Sequence, residues 1–308
     1  MAFNKIRQLI PDALWRRIRY ALIIRNHKRC QRELNSLIEQ TDNELLSEIK
    51  PLKKLPDDKI VIWQYWAQGL DSKSMPQLIN ICFQSVEKYS QDYTLIRVSD
   101  ENINEFLEFP DWLKEKVQHL TRALFSDLLR CLLLSKYGGL WLDATTFLTG
   151  APPSYLFGSD LFMYQRDDSE LNKEFWENTF AYYWSWSPKF LVKALTGIMY
   201  ASKGNKAIED LASLQLSYWK SNMQSPNYFF IQILIELYYR KYPQYRPKIV
   251  NDTIPHLLRQ YINECPVPGY SIDDILRKTT LHSLNYKNSK AFENLLALFP
   301  EYKSDKAE

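Results

Sequence analysis

Glycine is scarce in this chain, with eight in 308 residues. That leaves no low-complexity stretch and no Gly-rich loop of the kind that cradles phosphates with backbone N–H groups. The four cysteines, Cys30, Cys82, Cys131 and Cys265, are scattered and never spaced Cys-x-x-Cys. They outline neither a zinc site nor a disulfide framework, which favours a reducing compartment. No apolar run reaches the roughly 18 residues that a membrane-spanning helix needs. The early region has no uninterrupted apolar core and no small-residue cleavage site, so no signal peptide is expected. No internal repeat is visible.

What the chain does have is aromatics and an uneven charge. It holds 9 Trp, 20 Tyr and 15 Phe, which suits either sugar-stacking pockets or simply a large core. Its length is ample for one α/β core plus a small appendage. The net charge of +3 hides an asymmetry. Residues 1–32 carry nine Lys and Arg against Asp12 alone, a net of +8, and the rest is net −5. These basic residues alternate with Ile6, Leu9, Leu14, Trp15, Ile18, Leu22 and Ile23. Two readings fit: a basic amphipathic helix on an anionic membrane surface, or a helix packed on the main domain. Nucleic acid has no supporting motif.

The punctuation at Pro51 and Pro56 divides a helical extension, residues 1–55, from a main domain, residues 56–308. Lys59–Trp66 and Tyr93–Val98 read as apolar, β-branched strands. Gln77–Ser90 has helical periodicity, and Asn102–Leu107 and Asp111–Gln118 read as short helices. A long helix from Arg122 and a strand at Leu140–Leu142 follow. Strand, helix, strand, helix, strand in that order implies a parallel sheet. Residues 150–230 resist parsing apart from a strand at Asp160–Tyr164 and a helix at Ala207–Ser221. Further helices are expected at Asn227–Lys241 and Ser289–Leu298, with a strand near Thr280–Leu284.

The most informative segment runs from Arg122 to Thr145. Its helix is apolar nearly all round, which marks it as buried, yet Asp127 and Arg130 share one face at i and i+3. Arg122, Ser126 and Arg130 run along that face at intervals of four. Buried charges are costly unless paired or binding something, so the pair is either a structural ion pair or a ligand site. Gly138-Gly139 stops the helix, and Leu140-Trp141-Leu142 delivers Asp143 to the C-terminal end of a strand. In open α/β sheets that edge is where ligands bind; a turn-initiating aspartate is the alternative.

Ser126-Asp127-Leu-Leu-Arg130, a spacer, then Gly138-Gly139-Leu-Trp141-Leu-Asp143-Ala-Thr145 resembles the core of sugar-nucleotide glycosyltransferases with the GT-A fold. It is closest to the capsular polysaccharide synthesis glycosyltransferases, relatives of glycosylating toxins and mannosyltransferases. The resemblance is dense over residues 60–150. It implies an α/β fold with a mostly parallel central sheet flanked by helices. It also implies a nucleotide-sugar donor, with UDP favoured, and a lipid-linked saccharide acceptor in bacterial capsule or exopolysaccharide assembly. Transfer with retention and a place on the inner face of the cell membrane complete the expectation.

By that resemblance Asp127, Arg130 and Asp143 are the catalytic set. Carboxylates accept hydrogen bonds from sugar hydroxyls and a guanidinium offers a fixed donor fork. Ser126, Gly139, Arg122 and Lys287 join the donor-binding set, Arg122 toward the diphosphate. Trp66, or else Trp63, stacks on the nucleobase; strand alternation sends those two to opposite faces. Mn²⁺ or Mg²⁺ is implied on Asp143, with Thr145 where the family has a second Asp, and with His282. A neutral Thr is a weak ligand, so the metal would lean on the diphosphate. Asp167, Asp168 and the cluster Trp176, Tyr182, Tyr183, Trp184 and Trp186 are candidates for acceptor contacts or for plain structure. The competing readings are a non-catalytic nucleotide-sugar-binding scaffold, supported by Thr145, and a nucleotidyltransferase, opposed by the missing Gly-rich loop.

Overall fold

A computed structural model describes residues 11–39, 44–71, 73, 75–285 and 289–303. Its helices are α1 (Asp12–Glu39), α2 (Glu44–Ser47), α3 (Gln77–Lys88), α4 (Asp111–His119), α5 (Arg122–Tyr137), α6 (Lys173–Thr179), α7 (Lys206–Ser221), α8 (Phe230–Lys241), α9 (Leu257–Ile262), α10 (Ile272–Lys278) and α11 (Ser289–Leu298). Its strands are β1 (Lys50–Pro51), β2 (Val61–Tyr65), β3 (Thr94–Val98), β4 (Leu107–Glu108), β5 (Gly139–Leu142), β6 (Thr146–Leu148), β7 (Leu161–Gln165), β8 (Ala194–Ala201) and β9 (Leu281–Ser283).

The central sheet has the order β3-β2-β5-β8-β7. β2 pairs parallel with β3 and β5, while β8 runs antiparallel to β5 and β7. Four strands therefore run one way and one runs back, the mostly parallel α/β sheet expected of a GT-A fold. β8 was not expected. It is buried along nearly its whole length, so it lacks the polar alternation that betrays a half-exposed strand. The strand ends of β2, β3 and β5 open on the same edge of the sheet.

Alternation along β2 and β5 sorts the core. Trp63, Tyr65 and Trp141 face the main cluster beneath α5, α7 and α8, whereas Ile62, Leu140 and Leu142 face a smaller cluster on the other side. Helix α5 sits in the main cluster because Leu128, Leu129, Leu132, Leu133 and Leu134 are all fully buried. Each such leucine contributes about 1.5–3 kcal/mol by leaving water. The Thr121 hydroxyl caps the start, accepting from the Leu124 N–H at 3.4 Å, and Gly138 at φ 70° ends the helix. At Gly139, φ is 108° and an added Cβ would lie 2.4 Å from the Val61 carbonyl oxygen. Glycine is thus what lets β5 leave the helix and pair closely with β2.

The first 55 residues differ in detail from expectation. One continuous helix, α1, runs from Asp12 to Glu39, and its Ile23, Ile24, Cys30, Leu34 and Ile38 belong to the main core. It packs along α7 and α8. β1 then pairs antiparallel with β4, so backbone pairing with the main body starts before Pro56. The stretch 102–107 holds only a single turn at Ile103–Glu105, and Leu107 enters β4. Among the described residues no helix is long and apolar enough to cross a membrane.

Candidate active site

At the open edge, α5 and β5 place two carboxylates on one guanidinium. Arg130 Nη2 lies 3.0 Å from Asp127 Oδ1 and 3.3 Å from Asp143 Oδ1. The same side chain donates from Nη1 to the Thr196 carbonyl, from Nε to the Ser126 carbonyl, and from Nη2 to Ser126 Oγ. All three guanidinium nitrogens thus have protein partners, and the side chain is only 5% exposed. Where the resemblance expects Arg130 to contact the donor, the arrangement here also makes it the clamp on which the two carboxylates meet. Ser126 in turn orients Arg130.

Asp143 is the open member, with 38% of its side chain exposed against 13% for Asp127. Its Oδ1 also accepts the Trp141 indole N–H at 2.8 Å. Trp141, two residues earlier on the same side of β5, also lies under the Arg130 guanidinium at 5.3 Å. On β8, Gly197 makes the space: a Cβ there would sit 2.6 Å from Asp143 Oδ2. Gln232 of α8 donates to Thr196 Oγ1 at 3.1 Å, bracing the residue whose carbonyl takes Arg130. Burial pushes the Asp127 carboxyl up to about 6, with Arg130 opposing and the Asp143 charge reinforcing. Burial opposes the Arg130 cation, but the Asp143 and Asp127 charges outweigh it and raise its pKa.

Further along the edge, Tyr65 donates its hydroxyl to Asp100 Oδ1 at 2.5 Å, and Arg122 Nη2 meets Asp100 Oδ2 at 2.7 Å. Arg122, the first residue of α5, is more than half exposed. Asp100 follows β3 just as Asp143 follows β5, and the strand-end argument applied to β3 would have found it. Trp66 lies half-buried against Met75, Ile79, Phe83 and Ala144, the neighbour of Asp143.

Other expected residues lie elsewhere. Trp63 is fully buried, and its indole N–H donates to the Gly138 carbonyl at 2.9 Å, so it cannot stack on a base. Gly139 is at the opposite end of β5 from Asp143 and serves strand pairing. His282 is fully buried under Phe147, bonded to Thr149 Oγ1 at 3.0 Å, and burial lowers its pKa to about 3. Lys287 lies outside the described residues. Asp167 and Asp168 form a surface turn, in which Asp167 Oδ1 accepts the Ser169 N–H. Most of the aromatic cluster is structural: Trp176 is core, and Tyr183, Trp184 and Trp186 surround Arg166, which is locked to Asp252. Only Tyr182 stands out into solvent.

As a metal site the cluster offers little from the protein alone. Among the described residues no three His, Cys, Asp or Glu side chains gather in metal-binding geometry. Asp143 Oδ1 is already engaged by Trp141 and Arg130, which leaves Oδ2 facing Gly197. Such a donor set fits an ion held largely by phosphate oxygens, the common arrangement for Mg²⁺.

A family model described as capsular polysaccharide synthesis protein matches residues 16–299. No curated protein matches the chain. Among solved structures, the PaToxG glycosyltransferase aligns over 82% of this chain and 92% of its own, at 12% identity and a TM-score of 0.37. That likeness is too loose to carry an argument about chemistry.

Proposed function

The chain belongs to the capsular polysaccharide synthesis family, and from that membership we propose that it is a glycosyltransferase using a nucleotide-sugar donor. The observation that carries this reading is the pair Asp127 and Asp143 held on Arg130 at the open strand edge. Glycosyl transfer needs the departing diphosphate neutralised and the sugar held while positive charge grows at its anomeric carbon. Asp143, exposed and oriented by Trp141, accepts from ribose or sugar hydroxyls. Asp127, deeper and with its carboxyl pKa pushed up by burial, lines the sugar side. Arg122 supplies positive charge toward the diphosphate by exchanging Asp100 for phosphate oxygens. Trp66, beside Ala144, is the base-stacking surface. Mn²⁺ or Mg²⁺, when bound, would neutralise the diphosphate, held by Asp143 and Thr145 without His282.

The donor is read as a UDP-sugar and the acceptor as a lipid-linked saccharide of bacterial capsule or exopolysaccharide assembly. Retention of configuration suits a site with no carboxylate assigned as base, because the leaving phosphate can take the acceptor's proton. The basic N-terminal segment supports a place at the inner face of the cell membrane.

Thr145 in the place of the family's second Asp favours one other reading, a nucleotide-sugar-binding scaffold without turnover. Thermal shift with UDP-, GDP- and CMP-sugars, with and without Mn²⁺, tests both. A ligand at 100 times its dissociation constant stabilises by roughly 2.7 kcal/mol. A shift with one donor class followed by donor hydrolysis supports the transferase. A shift without hydrolysis, with or without a saccharide acceptor, favours the scaffold. No shift with any donor removes both.

A further inference from the structure

Helix α1 has two faces of different chemistry. One is buried through Ile23, His27, Cys30 and Leu34. The other, by helical spacing, carries Leu14, Ile18 and Leu22 along its first half and Arg25, Arg29 and Arg32 along its second. Between Ala13 and Arg32 the helix has seven basic residues and no acid. Arg25, Lys28, Arg29 and Arg32 form no ion pair among the described residues, and all four are exposed. Glu174 and Glu177 line a neighbouring cleft with Arg16, Arg17 and Arg19, which meets the helix at Tyr20 and Ile23.

Two loops extend the apolar half. Arg29 Nη2 donates to the Pro226 carbonyl at 3.1 Å, which ties the loop before α8 to the helix. That loop exposes Tyr228 to 75%, and the turn after α6 exposes Phe180 and Tyr182 by about half each. Together with Leu22, Asn26 and Phe229 they line an apolar groove of about 400 Å³. Twelve large apolar side chains are exposed among the described residues. Four of them, Leu22, Phe180, Tyr182 and Tyr228, line that one groove. Scattered exposure needs no explanation, but a contiguous patch does.

We propose that this composite surface docks on an anionic lipid bilayer, with Leu22, Phe180 and Tyr228 entering the interface and Arg25, Lys28 and Arg32 on the headgroups. The charge argues for a bilayer over an apolar protein partner: unpaired cations flank an aromatic and aliphatic tip, the composition of interfacial anchors. The inference extends the reading of a lipid-linked acceptor and rests on it for its purpose. Tyr228 and Phe229 lead directly into α8, whose first turn holds Gln232 on Thr196 beside Arg130. The docked surface and the carboxylates therefore share one helix start, within reach of an acceptor anchored in the same leaflet.

The full chain is sedimented with phosphatidylcholine vesicles with and without phosphatidylglycerol. Parent protein should bind only the anionic vesicles. Leu22→Ser/Phe180→Ser/Tyr228→Ser should weaken that binding on the order of a hundredfold while circular dichroism and turnover on a soluble acceptor stay unchanged. Arg25→Gln/Lys28→Gln/Arg32→Gln should weaken it by about as much. A Tyr228→Cys, Cys265→Ser chain carrying an environment-sensitive dye should shift to the blue on anionic vesicles; Cys265 is the one exposed cysteine and the other three are buried. Binding by the serine variant equal to the parent, or a dye that stays water-like, overturns the proposal. So does a concentration-dependent dimer that the serine variant abolishes while vesicles go unbound. Loss of turnover in the parent, with vesicle binding intact, would count against glycosyl transfer and not against the surface.

Discussion

Two arginine–aspartate clusters are buried among the described residues, and they differ in stoichiometry. Arg166 meets one carboxylate, Asp252, with Nε and Nη2 each 3.0 Å from an oxygen. Both side chains are sealed from solvent, the remaining N–H groups go to the Tyr183 and Ser185 carbonyls, and Trp184 covers the guanidinium at 4.5 Å. Charge and hydrogen bonds both close. Arg130 also lies on a tryptophan and also spends its N–H groups on carbonyls, but it faces two carboxylates. One negative charge is left over, and one of the two aspartates opens to water. A balanced, sealed pair has no remaining capacity to bind anything. Burial raises the carboxyl pKa in both clusters; what sets the unbalanced one apart is the acceptor oxygens of Asp143 left open to solvent.

The comparison breaks most visibly on the sealed side. Asp252→Ala should cost about 3–5 kcal/mol of folding stability in urea titrations, because Arg166 would be left buried and uncompensated. A loss under 1 kcal/mol would mean that the pair does not hold this region. Asp143→Asn should do the opposite, lowering turnover by about 10²–10³, or roughly 3–4 kcal/mol of barrier, while the melting temperature barely moves. Turnover within twofold of the parent would remove Asp143 from the chemistry.

Two glycines sharpen the contrast between site and scaffold. Gly197→Ala would push a methyl to 2.6 Å from Asp143 Oδ2, whereas Gly150→Ala would push one to 2.8 Å from Thr280 Cγ2. Displacing a reacting group by about an ångström costs on the order of a hundredfold, so the first should lose turnover. The second should lose only stability. Equal activities in the two variants would show that the Asp143 position is not critical.

The smallest effect lies in pH dependence. The fold raises the Asp127 pKa from 3.8 to about 6, so the folded state binds this proton more tightly than the unfolded chain. Its contribution to stability is therefore fully present below about pH 4 and is lost as pH rises toward 6. Asp127→Asn should flatten that part of the stability curve. It should also remove the acid limb near pH 6 from kcat/KM, where ionised Asp127 starts to accept hydrogen bonds. An unchanged acid limb would assign it to another group.

Much of this was legible before any coordinates. Asp127 and Arg130 share a helix face by spacing alone, and a strand that ends in Asp143 after Gly138-Gly139 needs only local chain geometry. The same local rules recovered α3, α5, α7, β2 and β3 nearly to the residue. What failed was whatever depends on partners distant in the chain. β8 was missed because burial on both faces erases its alternation, and with it went Thr196 and Gly197. Gln232 was invisible because its partner lies 36 residues away. Trp63 and His282 looked available because sequence carries no measure of depth.

The sequence by itself determined that two carboxylates and an arginine would meet at a strand edge, because periodicity and chain punctuation are local properties. Only the tertiary structure decided how the charges divide among them. Arg130 is held as a clamp because β8 supplies the Thr196 carbonyl and β5 supplies Trp141. Asp143 keeps an open face because Gly197 leaves it room, and the Asp127 carboxyl is pushed up to about 6 because burial takes it out of water.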